Sequence, residues 1–67
     1  MLGMPDLIVC MPSGIYHALF IEMKTSKGKL SENQVACHAL LESAGYCVKV
    51  CRSFDEFMNA VNTYLEY

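Results

Sequence analysis

Two short apolar runs near the start of this chain predict two strands. Residues 7–11 are apolar without interruption, a length typical of a strand buried on both faces. Pro12-Ser13-Gly14 supplies residues that favour a turn. We expect residues 18–25 to be the second strand, in which an apolar run leads into Glu22 and Lys24. A connection this short favours an antiparallel hairpin, because parallel strands need a longer crossover.

The middle of the chain carries the pattern of a capped helix. Ser31-Glu32-Asn33-Gln34 matches a capping box, in which serine and glutamine side chains bond reciprocally to the backbone. We expect the helix to run to about Ala44 and Gly45 to end it in a left-handed conformation. His38 should face solvent or an interface. Four residues at helical spacing form the predicted buried stripe: Cys37, Leu40, Leu41 and Ala44.

A strand and a helix complete the pattern. Residues 46–52 predict a strand with Val48 and Val50 on one face and Cys47, Lys49 and Cys51 on the other. The preceding helix makes a βαβ unit, so strands two and three should be parallel. Ser53-Phe54-Asp55-Glu56 is a second capping-box pattern, with its helix ending near Glu66. The expected stripe of that helix is Phe54, Phe57, Met58, Val61 and Leu65. The whole reads as one α/β domain over residues 1–67, ββαβα, with a mixed three-stranded sheet packed by two helices.

Composition adds expectations about partners and surroundings. Hydrophobic residues make up 54% of only 67 residues, so we expect part of the apolar surface to lie in a homodimer interface. A net charge of −2 argues against binding nucleic acid by charge alone. The four cysteines lack metal-site spacing and should be reduced and buried. No signal peptide is evident, and no apolar run approaches the ~20 residues of a membrane span. The expected protein is soluble and cytoplasmic.

Candidate chemistry converges where the first strand begins and the second ends. A hairpin brings Asp6 to Glu22, and strand alternation puts Lys24 on the same face as Glu22. Two carboxylates suit Mg²⁺, which prefers oxygen ligands, and a backbone carbonyl near Met23 adds a third. Lys24 would orient a water or stabilise developing charge. Gln34, on the first turn of the following helix, would bond to the water, the metal shell or Lys24. We therefore hypothesise a divalent metal site that takes a scissile phosphate.

Each of these residues also has an ordinary structural interpretation. Asp6 is typical of a strand start, and Glu22 with Lys24 would make a weak ion pair on a solvated sheet face. Gln34 already serves the helix cap, and Lys27 and Lys29 lie in a polar loop where lysines are usually just exposed.

The ordered series of motifs resembles the VRR-NUC (virus-type replication-repair nuclease) domain of the PD-(D/E)XK nuclease superfamily. The residues that carry the resemblance are Gly3 to Val9, Phe20 to Thr25, Gly28 to Ser31 with Gln34, and Gly45-Tyr46. The resemblance implies a minimal restriction-endonuclease-like core. It also implies Mg²⁺- or Mn²⁺-dependent hydrolysis of DNA, with homodimers acting on branched DNA such as Holliday junctions in a phage or its bacterial host.

By this resemblance, Asp6 and Glu22 are metal ligands together with the Met23 carbonyl, Lys24 is the catalytic lysine, and Gln34 is a further motif residue. Lys27 and Lys29 are expected to contact DNA. Family members usually carry an N-terminal helix before Pro5-Asp6, whereas only residues 1–4 precede it here. We expect a truncated or minimal form, or cover from a partner subunit. Two alternatives stay open: a catalytically silent DNA-binding remnant, and a small protein-interaction module.

Overall fold

A mixed three-stranded sheet is the centre of the molecule. The computed structural model describes residues 2–66. Its elements are β1 (Leu7–Val9), β2 (Leu19–Met23), α1 (Glu32–Ser43), β3 (Cys47–Cys51) and α2 (Phe54–Leu65). The sheet order is β1-β2-β3, with β1 antiparallel and β3 parallel to β2. The predicted ββαβα order, the hairpin and the parallel βαβ unit are therefore confirmed.

The central strand β2 faces a different helix on each side. Leu19 and Ile21 are fully buried in a core that α2 covers, together with Cys47, Cys51 and Tyr64. Each large apolar side chain buried there contributes roughly 1.5–3 kcal/mol to folding. The alternate residues of β2, Phe20 and Glu22, are also buried, and Glu22 meets His38 of α1. The sheet thus has one apolar face and one face that buries charge.

The first strand is an edge strand and is not buried on both faces, which corrects the prediction. β1 is three residues long, and Leu7 and Ile8 each keep almost half of their surface exposed. Met11 and Cys10 are exposed as well, so the expectation that all four cysteines are buried is wrong for Cys10. The reason is that both helices pack against β3 and neither covers β1. None of the four cysteines forms a disulfide.

Both helices bury a face that differs from the predicted stripe. On α1, Cys37 and His38 are buried and Leu41 is half-buried, but Leu40 is 55% exposed and Ala44 is exposed. His38 therefore does not face solvent, and that part of the expectation is wrong. The helix is turned toward Glu22, so its sheet-facing side carries a polar residue that apolar spacing does not reveal.

Helix α2 shows the same kind of difference. Phe57 and Val61 pack against the core as expected, together with Ala60 and the buried Tyr64. Three other predicted members of the stripe remain exposed to a substantial extent: Phe54, Met58 and Leu65. The buried positions are 57, 60, 61 and 64, a single helical stripe that ends on the tyrosine. Tyr64 also ties α2 to the hairpin connection, since its hydroxyl donates to the Met11 carbonyl at 2.6 Å.

Local backbone signals are mostly confirmed. Ser31 and Gln34 form both bonds of the capping box. Ser53 accepts from the Glu56 N–H, but the Glu56 carboxylate accepts from the Arg52 N–H, so the second box forms only its serine half. Gly45 has φ +95°, and a Cβ there would lie 2.8 Å from the His17 ring. Within residues 2–66, neither helix is long and apolar enough to cross a membrane.

Candidate functional site

The hairpin brings Asp6 to the end of β2, as predicted. Leu7 pairs with Ile21, so Asp6 lies one position further along, opposite Glu22. The Asp6 Oδ2 atom accepts the Met23 backbone N–H at 2.9 Å, which fixes this carboxylate beside the strand end. Gly3 lets the segment before Asp6 pass close to the start of α1. Its φ is +86°, and a Cβ there would lie 2.3 Å from the Asn33 carbonyl oxygen. No other residue type fits the chain so close to the start of α1.

Glu22 is the buried acid of the site. Its side chain is on the α1 face of the sheet, and the residue is only 2% exposed. Burial is the largest cause that raises its pKa, followed by a hydrogen bond shared with the Asp6 carboxyl group and by the charge of Asp6. The charge of Lys24 and the neighbouring His38 imidazole lower the pKa of Glu22 in part. The two predicted carboxyl groups are therefore immediate neighbours.

Lys24 lies beside this pair, directly after β2 ends. Its backbone N–H donates to the Cys51 carbonyl at 2.9 Å, which continues the pairing with β3 for one residue beyond the strand. The side chain is half-buried, and its charge acts on Glu22. The charge of Lys24 thus acts on the Asp6–Glu22 pair, and its place on the same face as Glu22 stays a prediction.

The other predicted site residues have defined places, but their contacts among residues 2–66 do not assign the predicted roles. The Gln34 side-chain oxygen accepts the Ser31 N–H at 2.9 Å in the capping box. Met23 ends β2 and presents its N–H to Asp6. Lys27 and Lys29 are exposed in the loop between β2 and α1. Metal binding by the Met23 carbonyl, catalysis by Gln34 and DNA binding by Lys27 and Lys29 stay predictions.

His38 belongs to the site, and the sequence analysis missed it. Its Nε2 lies 3.5 Å from Glu22 Oε1, and the residue is 6% exposed. One signal would have found it: His38 follows Gln34 by four residues, so both side chains lie on the same face of α1. That face was already expected to point toward the carboxylates, because Gln34 was placed there.

The donor set fits a divalent cation that takes oxygen ligands. Glu22 Oε1 is buried without a hydrogen-bond partner among residues 2–66, and a bound cation would offset the cost of that unsatisfied oxygen. Two carboxylates are enough for Mg²⁺, which keeps several waters. His38 does not complete a larger site: among the described residues, no three His, Cys, Asp or Glu side chains are arranged to hold a metal.

A second concave surface lies on the opposite face of the sheet. It has a volume of about 360 Å³ between β3 and α2 and is lined in part by Tyr16, Cys47, Cys51 and Tyr64. Burial raises the pKa of the Cys47 and Cys51 thiols and of the Tyr64 hydroxyl above their ordinary values. These groups stay protonated near neutral pH and are poor nucleophiles. The chemistry therefore concentrates at the carboxyl pair.

Comparison with known proteins agrees with this geometry. The model of the VRR-NUC domain family matches residues 1–55. A solved structure described as a VRR_NUC domain protein superposes with a TM-score of 0.91 at 31% sequence identity. The match covers 96% of this chain and 54% of the other, so the chain spans about half of that protein's length. No curated protein matches the chain. The chain therefore belongs to the VRR-NUC domain family, whose members are nuclease-type proteins.

Proposed function

We propose that this domain is a metal-dependent DNA endonuclease that hydrolyses phosphodiester bonds at the cluster of Asp6, Glu22 and Lys24. The observation that carries the proposal is the neighbouring carboxyl pair, in which a buried Glu22 oxygen has no hydrogen-bond partner among residues 2–66. Such an oxygen is costly in the protein alone and is suited to a bound cation. The third and decisive member is the lysine that follows two residues after Glu22.

The residues divide the work by their chemistry. Asp6 and Glu22 would hold Mg²⁺ or Mn²⁺ with the Met23 carbonyl; when bound, the cation activates water and neutralises charge on the phosphate. The Met23 N–H keeps the Asp6 carboxylate at this place. The Lys24 ammonium lies near enough to Glu22 to orient the attacking water or to stabilise charge on the phosphate oxygens. Gln34 is a further candidate for bonding to that water.

The substrate that we propose is branched DNA, similar to a Holliday junction. The net charge of −2 means that the bound cations and local lysines must attract the phosphates. Lys27 and Lys29 project from the loop that follows Lys24 and are exposed for this purpose. A homodimer would present two sites to one junction, and the exposed apolar residues of β1 offer it a contact surface.

The test compares cleavage of linear duplex, flap and four-way junction DNA in the presence of Mn²⁺. We expect the wild type to cut the branched DNA fastest. Glu22→Gln and Lys24→Ala should each lower the rate by at least about 100-fold, the usual effect of removing one group that stabilises the transition state.

Matched controls are Lys49→Ala, an exposed lysine of β3, and Glu66→Gln, an exposed acid after α2. Both should cut at the wild-type rate. A wild type that cuts none of the DNAs, but binds them, would instead support a silent DNA-binding domain. One that neither cuts nor binds would support a protein-interaction module.

A further inference from the structure

A buried polar pair joins α1 to the sheet behind the proposed metal site. The His38 imidazole and the Glu22 carboxylate face each other with Nε2 and Oε1 3.5 Å apart. Both residues are more than nine-tenths buried. Neither atom has a hydrogen-bond partner among residues 2–66. Each is therefore a buried polar atom whose nearest complementary group is the other.

The surroundings of His38 leave Glu22 as its partner. The histidine lines a cavity of about 330 Å³ whose other walls are mostly apolar, including Val35, Val48 and Val50. Glu42 is the acidic residue that lines this cavity, and it is exposed. An apolar side chain at this position would destabilise the fold less than an imidazole, because a polar group buried without a hydrogen bond is destabilising. The buried position of His38 is therefore best explained by an interaction with the Glu22 carboxylate.

The distance decides what kind of contact is present. A well-formed N–H···O bond is about 2.9 Å long. The Nε2 and Oε1 atoms are 3.5 Å apart, and a shift of about half an ångström would bring them to hydrogen-bond distance. Glu22 has two oxygens and two neighbours, His38 on the helix side and Asp6 on the side of β1. A donor that holds Oε1 would leave the second oxygen directed to Asp6, where the cation is proposed.

We propose that His38 is a positioning residue whose Nε2–H donates to Glu22 Oε1 and sets the orientation in which this carboxylate binds a divalent cation. The inference rests on the proposed function, because Glu22 has a metal to bind only there. Groups that orient a metal ligand in this way typically change metal affinity 10–100-fold when they are replaced.

The experiment measures Mn²⁺ affinity of the whole chain by electron paramagnetic resonance of the free ion. Two variants of the same chemistry but different reach carry the comparison. His38→Gln places its amide N–H near the position of Nε2, whereas His38→Asn is shorter and cannot reach Glu22. We expect His38→Asn to weaken Mn²⁺ binding about 10- to 100-fold and His38→Gln to keep most of the wild-type affinity. Leu41→Ala, which removes half-buried packing from the same helix, should bind like the wild type.

The outcomes separate this inference from the proposed function. Mn²⁺ binding that Glu22→Gln abolishes, with His38→Asn as tight as the wild type, would overturn the positioning role and leave the proposed function intact. Equal losses in His38→Gln and His38→Asn would also overturn it, because reach would then not matter. A wild type with no Glu22-dependent Mn²⁺ binding would refute the proposed function itself. Urea unfolding of each variant identifies any loss that comes from misfolding.

Discussion

Among single residues, Glu22 is the acid whose burial most needs an explanation. It is an acid at the centre of a small sheet, almost without exposure, next to a second carboxyl group. A small domain has little stability to spare, so a buried charge of this kind is hard to explain by folding alone. A cation bound in the functional state would offset the cost of burying this carboxylate.

The burial of Glu22 predicts that the free energy of unfolding of the metal-free protein depends on pH. The folded-state pKa of Glu22 lies above its ordinary value of 4.5, so the folded chain holds this proton more tightly than the unfolded chain. The resulting stabilisation is fully present below the ordinary pKa and is lost as pH rises through the folded pKa. With a chelator present, Glu22→Gln should be more stable than the wild type at pH 7, by on the order of 1 kcal/mol.

Urea unfolding at a series of pH values, from below the ordinary pKa of 4.5 to above neutrality, measures that difference. The gap between Glu22→Gln and the wild type should be small at the acid end and should widen as pH rises. Adding Mn²⁺ should stabilise the wild type and leave the variant unchanged, because a ligand that binds only the folded state stabilises it. A gap that is the same at every pH would contradict the burial argument.

At the scale of elements, the loop between β2 and α1 depends on Arg52. This residue directly follows β3, and its Nη1 donates to the carbonyl oxygens of Thr25 and Gly28. The same loop carries Lys27 and Lys29 and begins at Lys24. One guanidinium thus holds together a segment that would otherwise have few tertiary bonds of its own.

We predict that Arg52→Ala and Arg52→Lys both loosen this loop, because alanine has no donor and a lysine ammonium ends one bond short of the position of Nη1. The ¹⁵N order parameter of Gly28 should fall from about 0.85 to below about 0.6. Arg52→Lys keeps the charge, so any loss of DNA affinity in that variant reports positioning of the lysines. An unchanged order parameter in Arg52→Ala would show that the loop is held by other contacts.

At the scale of the whole molecule, the uncovered edge of the sheet is the dominant feature. Leu7 and Ile8 of β1 are about half exposed, and Ile15 in the following connection is almost fully exposed. An apolar edge strand with unpaired backbone groups is suited to a second chain. We predict that the proposed homodimer forms through this edge.

Sedimentation equilibrium tests that prediction with charge substitutions. Ile8→Lys should shift the wild-type dimer to monomer, since a buried unpaired charge destabilises an interface. Leu40→Lys, at a similarly exposed position on α1, should remain dimeric. A monomeric wild type would refute the homodimer, and a dimeric Ile8→Lys would place its interface elsewhere.

Much of the fold and part of the site followed from short-range patterns. The capping box at Ser31, the left-handed Gly45 and the meeting of Asp6 with Glu22 are all confirmed. The buried helix faces were harder, because Leu40 is as apolar as any core residue and yet lies in solvent. His38 was missed for the same reason: residue type alone does not show which side of a helix meets the sheet.

The order of the elements, their caps and turns, and the strand alternation that predicts Glu22 and Lys24 on one face can all be read from neighbouring residues of the chain. These features depend on residues within a few positions of each other, so local geometry is sufficient to predict them. Three features became visible only in the folded molecule: the exposure of Leu7 and Ile8 on β1, the approach of His38 to Glu22, and the bonds from Arg52 to the lysine loop. Those outcomes depend on contacts between distant segments, where packing selects among faces of similar apolar character.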